Sequence, residues 1–157
     1  MRSTAIFPLL LAAIALAQVP SAKGPSGDNV DITSFNVGTF TSGGSQLAYL
    51  AYPTRYQEFA DGSMPLVILA HGMTAGCSRV LDSYDNLMKN ISSWDMIVIA
   101  PAPCCLLWCT SYPDDIYRGI TDTKGKHPIL AKADYTNVGL IGHSMGGNAV
   151  MKIAADP

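Results

Sequence analysis

Positive charge is scarce and scattered in this chain: ten lysines and arginines stand against twelve acids over 157 residues, a formal net charge of −2. With no basic cluster to track a phosphate backbone, a nucleic-acid surface is excluded. Lys124-Gly125-Lys126 reads as a solvated loop. Long apolar runs are scarce too. The stretch from Ala5 to Ala17 is interrupted by Pro8 and ends before Gln18-Val19-Pro20, short of the ~20 residues that a membrane-spanning helix needs. No stable membrane anchor is therefore expected. Internal repeats are absent, and nothing marks a second domain. The spacing Cys104-Cys105-Leu106-Leu107-Trp108-Cys109 lacks the paired rhythm of a zinc site and has no histidine nearby. Neither a metal nor an organic cofactor is called for.

The beginning of the chain is more informative. Met1-Arg2-Ser3-Thr4 is a short basic start, the apolar stretch follows, and Ala15-Leu16-Ala17 offers small residues where a signal peptidase reads. Residues 1–17 are read as a secretory signal and residues 18–29, with Gly24-Pro25-Ser26-Gly27-Asp28, as a flexible lead. The expected location is extracellular. In that oxidising setting Cys77, Cys104, Cys105 and Cys109 form bridges by default. Three full pairings are open, and a bridge from Cys77 to one of the other three is geometrically reasonable. Asn90-Ile91-Ser92 is a glycosylation sequon in a eukaryotic host.

From residue 30 onward, strand and helix patterns alternate. Strands are expected around Phe35 to Phe40 and Leu47 to Tyr52, with Ser42-Gly43-Gly44 as the turn between them. The runs Pro65 to Ala70 and Met96 to Ala100 are continuous and apolar, as in strands buried on both faces. Helix A is expected over Ser78 to Ser92, with Val80, Leu81, Tyr84, Leu87 and Met88 on one face. Between Ser111 and Lys132 the chain reads as loop with one short helix, Asp114 to Ile120. The pattern predicts an α/β fold, a mostly parallel, doubly wound sheet with helices on both faces.

The densest signal is Val138-Gly139-Leu140-Ile141-Gly142-His143-Ser144-Met145-Gly146-Gly147-Asn148-Ala149-Val150: an apolar strand, a tight turn bearing one serine, and a helix start. A serine on such a turn sits in a crowded backbone conformation, and the residues two before and two after must be glycine to avoid collision. Gly142 and Gly146 fill those positions. The turn exposes the Ser144 hydroxyl and aims the N–H of Met145 at a developing oxyanion. A second piece follows the run ending at Ala70: in His71-Gly72-Met73-Thr74-Ala75-Gly76, Gly72 permits close approach. The N–H of Met73 is the expected second donor, with Thr74 next. The imidazole of His71 is assigned no chemical part.

These two motifs resemble the α/β-hydrolase superfamily. The closest branch holds cutinase-like and polyester (PET) hydrolases, dienelactone-hydrolase-like proteins and chlorophyllases, matched here over their N-terminal part. The resemblance implies a serine carboxylic-ester hydrolase with Ser144 as nucleophile, Met73 and Met145 as the oxyanion hole, and a small-molecule or polymeric ester as substrate. Where many such enzymes carry an aromatic residue after the early glycine, this chain has Met73.

The fold's triad runs Ser, then Asp or Glu, then His along the chain. After Ser144 come thirteen residues with one acid, Asp156, and no histidine. His71, His127 and His143 all precede the serine. His143 points away from its neighbour around the turn, and His127 falls in a surface loop. Asp114 and Asp115 read as cap and first-turn acids of a short helix, and Asp156 as a helix-end residue. The expectation is a chain whose C-terminal part, with acid and base, lies beyond Pro157, and which is inactive without it. Residues 30–157 would be the N-terminal portion of the domain. Alternatives are a thioester, lactone or peptide hydrolase, or a non-catalytic relic that binds without turnover. The loop from Pro101 to Tyr112 leaves the carboxyl end of a strand, where open α/β sheets bind ligands. Leu106, Leu107 and Trp108 there are either pocket lining or part of a disulfide-pinned loop.

Overall fold

In a computed structural model of the chain, residues 23–104 and 109–155 are described. The signal segment, Leu106, Leu107, Trp108 and Asp156 lie outside them.

Five strands form one sheet: β1 (Val30–Asn36), β2 (Leu47–Pro53), β3 (Met64–Ala70), β4 (Ile97–Pro101) and β5 (Ala133–Gly142), in spatial order β1-β2-β4-β3-β5. The sheet is mixed. β2 pairs antiparallel with β1 and with β4, whereas β3 pairs parallel with β4 and β5. The parallel half is the buried half. All five residues of β4 and all of β3 except Pro65 are buried, which is why both read as unbroken apolar runs.

Three helices cover both faces: α1 (Arg79–Ser92), α2 (Tyr112–Thr121) and α3 (Met145–Ala155). α1 packs on one face, where Val80, Tyr84 and Met88 meet Leu69, Val98 and Ala100. α2 and α3 pack on the other, where Tyr112, Ile116 and Ala149 join Leu66, Ile68 and Ile99. That is the doubly wound arrangement expected. Among the described residues no helix is long and apolar enough to cross a membrane.

Several expected boundaries shift. The first strand is Val30–Asn36 rather than Phe35 to Phe40, because Phe40 is held in the following loop, where the Gln46 side chain bonds both its N–H and its C=O. Gly43 and Gly44 turn at φ of 77° and 90°, as a glycine pair allows. α2 begins two residues before Asp114, at Tyr112, with Pro113 tolerated in its first turn. On α1, Leu87 lies off the buried face and is exposed. Asp115 is no surface acid: it is fully buried and accepts the N–H groups of Thr41 (2.6 Å) and Ser42 (2.7 Å), which pins the β1–β2 connection to α2. Of the expected lead, residues 24–29 form turns against the end of α1, where the Gly24 N–H donates to Ser93 Oγ (2.8 Å) and the Ser26 hydroxyl to Asp95 (2.6 Å).

Candidate active site

Two loops leave the carboxyl ends of β3 and β5 side by side. Ala70 pairs with Gly142, and the His143 N–H donates to the Ala70 carbonyl at 3.1 Å. One loop is the turn into α3, where Ser144 has φ of 54°, a left-handed conformation uncommon outside glycine. Both flanking glycines are sterically required. A Cβ on Gly142 would lie 2.4 Å from the Gly146 carbonyl oxygen, and one on Gly146 would lie 2.0 Å from that of Ala70. Gly147 has room, its nearest backbone atom being 3.5 Å away.

The other loop, residues 71–77, is strained as well. Thr74 sits at φ 69° and Cys77 at φ 57°, which for a β-branched threonine is a marked outlier. Contacts with the loop after β4 hold it there. The Cys77 N–H donates to the Ala102 carbonyl (3.2 Å), and a Cβ on Gly76 would fall 1.6 Å from the Cys104 carbonyl oxygen. A disulfide joins Cys104 to Cys109, Cys77 is disulfide-bonded as well, and no described cysteine is free.

Between these loops and α2 lies a mostly apolar groove of about 540 Å³, lined by Met73, Cys109, Tyr112, Ser144, Met145 and Ala149 among others. The two methionines whose N–H groups are the expected oxyanion donors therefore border the same space as the serine. The described residues contain no group of three or more His, Cys, Asp or Glu placed to hold a metal.

The three histidines go elsewhere. His71 is fully buried beneath its loop, its ring 4.8 Å from that of Tyr112, whose hydroxyl donates to the His71 carbonyl at 2.9 Å. Burial pushes the imidazole pKa down and the Tyr112 phenol up. The ring is thus neutral, with Nδ1–H donating to the Gly72 carbonyl (2.8 Å) and Nε2 buried without a partner. His127 lies ahead of a short 3₁₀ turn, Pro128–Lys132, where its Nδ1 accepts the Ile129 N–H and its ring meets Phe35 at 6.0 Å. His143 turns to the opposite face, 2.9 Å from the Tyr84 hydroxyl. Among the described residues no histidine ring is hydrogen-bonded to Ser144. Asp114 is exposed at the start of α2.

Sequence reasoning missed Tyr84 and Tyr112, which hold the loop around Gly72. A signal existed for Tyr84, a tyrosine on the apolar face of an expected helix whose buried phenol must find a hydrogen-bond partner, whereas Tyr112 fell outside the helix expected from Asp114 to Ile120.

No protein-family model matches the sequence, and no curated protein matches it. Solved structures do. Crystal structures of esterase B from Lactobacillus rhamnosis resemble the chain in fold. One, described as a C4-C4 SN3 tributyrin phosphonate inhibited form, has a TM-score of 0.60 at 19% identity over 85% of this chain and 42% of that one. Another has a TM-score of 0.58 at 20% identity, with 85% and 41% covered. The chain thus spans about two fifths of the length of these structures. With its mixed five-stranded sheet and helices on both faces, the chain has the architecture of an α/β-hydrolase fold.

Proposed function

We propose that the protein is a secreted serine carboxylic-ester hydrolase that works through an acyl-enzyme on Ser144. One observation carries this reading: Ser144 is held at φ 54° between two glycines that nothing larger can replace, and it faces an apolar groove shared with Met73 and Met145. The Ser144 oxygen attacks the ester carbonyl. The N–H groups of Met73 and Met145 hold the resulting oxyanion, the alcohol departs, and water releases the acid from the acyl-serine. No metal or organic cofactor takes part in these steps. The groove's apolar lining suits the acyl chain of a small ester, and the likeness in fold to esterase structures supports that substrate class. No feature of the groove favours a polymer, and Met73 stands where many cutinase-like enzymes carry an aromatic residue.

The rings of His71, His127 and His143 are engaged elsewhere, so the mechanism calls for a histidine base other than these three. Secretion is supported by the signal-like start and the bridged cysteines.

The test is labelling of the full-length protein by a fluorophosphonate probe, with hydrolysis of short p-nitrophenyl esters in parallel. Ser144→Ala should abolish labelling and lower kcat by about 10³-fold or more. A folded full-length protein that hydrolyses no ester and takes no label would instead be a binding relic. Faster turnover of thioesters or lactones would move the substrate class while keeping the machinery.

A further inference from the structure

Tyr84 lies on α1, which packs on the sheet face opposite α2 and α3 and supplies no residue to the groove. It is buried, yet its hydroxyl reaches both site loops. The Gly72 N–H lies 2.8 Å from the Tyr84 oxygen, and His143 Nδ1 lies 2.9 Å from the same oxygen. The Gly72 N–H donates to the Tyr84 oxygen, which leaves the phenolic hydrogen free to be given to His143 Nδ1. The rings meet edge-on, with centroids 6.1 Å apart. A Cβ on Gly72 would fall 2.7 Å from His143 Nδ1 and 3.3 Å from the Tyr84 oxygen, so the glycine also leaves room for this junction.

We propose that Tyr84 and His143 are positioning residues that fix the oxyanion loop relative to the nucleophile turn. The inference rests on the roles given above to Ser144 and Met73. Both peptide groups flanking Gly72 are clamped. Its N–H is held by Tyr84, and its carbonyl accepts from His71 Nδ1 (2.8 Å) and from the Ala75 N–H (3.2 Å). No peptide bond among the described residues is cis, so the Met73 N–H points opposite the Gly72 carbonyl and inherits its orientation. On the other side, His143 precedes Ser144 directly. A movement of either loop must therefore break the Gly72–Tyr84–His143 chain or carry the other loop with it.

Two readouts test this on the full-length protein. The first is ester hydrolysis. Tyr84→Phe and His143→Leu should each lower kcat on the order of 10-fold with KM little changed, because donor placement acts on the transition state. His143→Asn should keep most of the activity, since its Oδ1 can stand where Nδ1 accepts. The double variant should be no worse than either single one, as expected for members of one chain. The second readout is hydrogen exchange at the Gly72 amide in 15N-labelled protein, which needs no catalysis. That amide should be protected in the parent and in His143→Asn, and should exchange at least several-fold faster in Tyr84→Phe and His143→Leu. Should Tyr84→Phe fail to fold, the His143→Asn and His143→Leu pair carries both readouts. Unchanged kcat in His143→Leu, or equal losses in Asn and Leu, would overturn the proposal, as would unchanged Gly72 exchange. Coupled exchange in a protein that takes no fluorophosphonate label would sink the esterase reading and keep the mechanical link.

Discussion

β3 and β5 run parallel, pair residue for residue at Ala70 and Gly142, and each ends in one of the two site loops, yet they are held very differently. β3 lies between β4 and β5 with six of its seven residues buried, whereas β5, among the described residues, pairs only with β3 and buries one of ten. The loop after β3 is clamped by the His71 ring, two tyrosine hydroxyls and a bridged cysteine. The turn after β5 rests on the end of β3, through the close approach of Gly146 and the bond from the His143 N–H to the Ala70 carbonyl, and on Tyr84 through the His143 ring. The difference teaches where the geometry originates. The oxyanion loop is built into the core, and the nucleophile takes its place by leaning on that loop.

The strongest way to break this relation is to put a side chain between the two. Gly146→Val drives a Cβ to within 2.0 Å of the Ala70 carbonyl and 2.7 Å of the His71 carbonyl, both backbone atoms that cannot swing aside. A loss of about 3 kcal/mol or more is expected, by urea unfolding of the full-length protein, together with loss of fluorophosphonate labelling. Gly147→Ala is the internal control. Its added Cβ would meet its nearest atom at 3.5 Å inside α3, so stability should rise by about 0.5–1 kcal/mol through reduced backbone entropy, with labelling intact. Equal damage from the two substitutions would mean that the turn does not rest on β3.

The same contrast governs what was legible in the sequence. Segments buried on both faces announce themselves, and β3 and β4 were placed within one residue of their positions. The turn at Ser144 was legible because it is local: a left-handed serine needs glycines two residues either side, and the chain carries them. Non-local requirements left weaker traces. Phe40 is β-compatible and drew the first strand too far along, because nothing nearby shows that Gln46 folds back on it. Asp115 looked like an ordinary first-turn acid, since its partners at Thr41 and Ser42 lie more than seventy residues away. The clamp on Gly72 joins α1, β3 and β5. No window of sequence contains it.

The β3 side also predicts a pH dependence. His71 is buried and neutral in the folded chain, its pKa pushed below the ordinary 6.5 by desolvation, while in the unfolded chain it titrates near that value. Between the two values the unfolded state binds the extra proton. Stability from this group is thus full above about pH 6.5, falls as pH drops below it, and levels off beneath the lowered folded pKa. The slope in that window should approach about 1.4 kcal/mol per pH unit for a single proton. His71→Asn, which offers an amide donor in place of Nδ1–H, should flatten it. An unchanged slope in that variant, from urea unfolding between pH 4 and 7, would place the proton elsewhere.

The smallest effect sharpens the comparison most, because it separates holding a loop from stabilising it. Thr74 sits at φ 69°, where a β-branched residue is strained by about 1–3 kcal/mol. Thr74→Gly relieves that strain at an entropic cost of roughly 0.5–1 kcal/mol, so the net gain should be on the order of 1 kcal/mol, visible as a rise in Tm. The groove should lose by the same change. A glycine next to Met73 loosens the peptide that carries its N–H, and the labelling rate at Ser144 should fall two- to five-fold although Ser144 is untouched, about what a fraction of a kcal/mol in the barrier gives. A variant both more stable and equally reactive would mean that the strain at Thr74 does no chemical service and that the clamp on Gly72 suffices. A more stable but slower variant would show that the core-held loop is kept strained because a relaxed one aims its donor poorly.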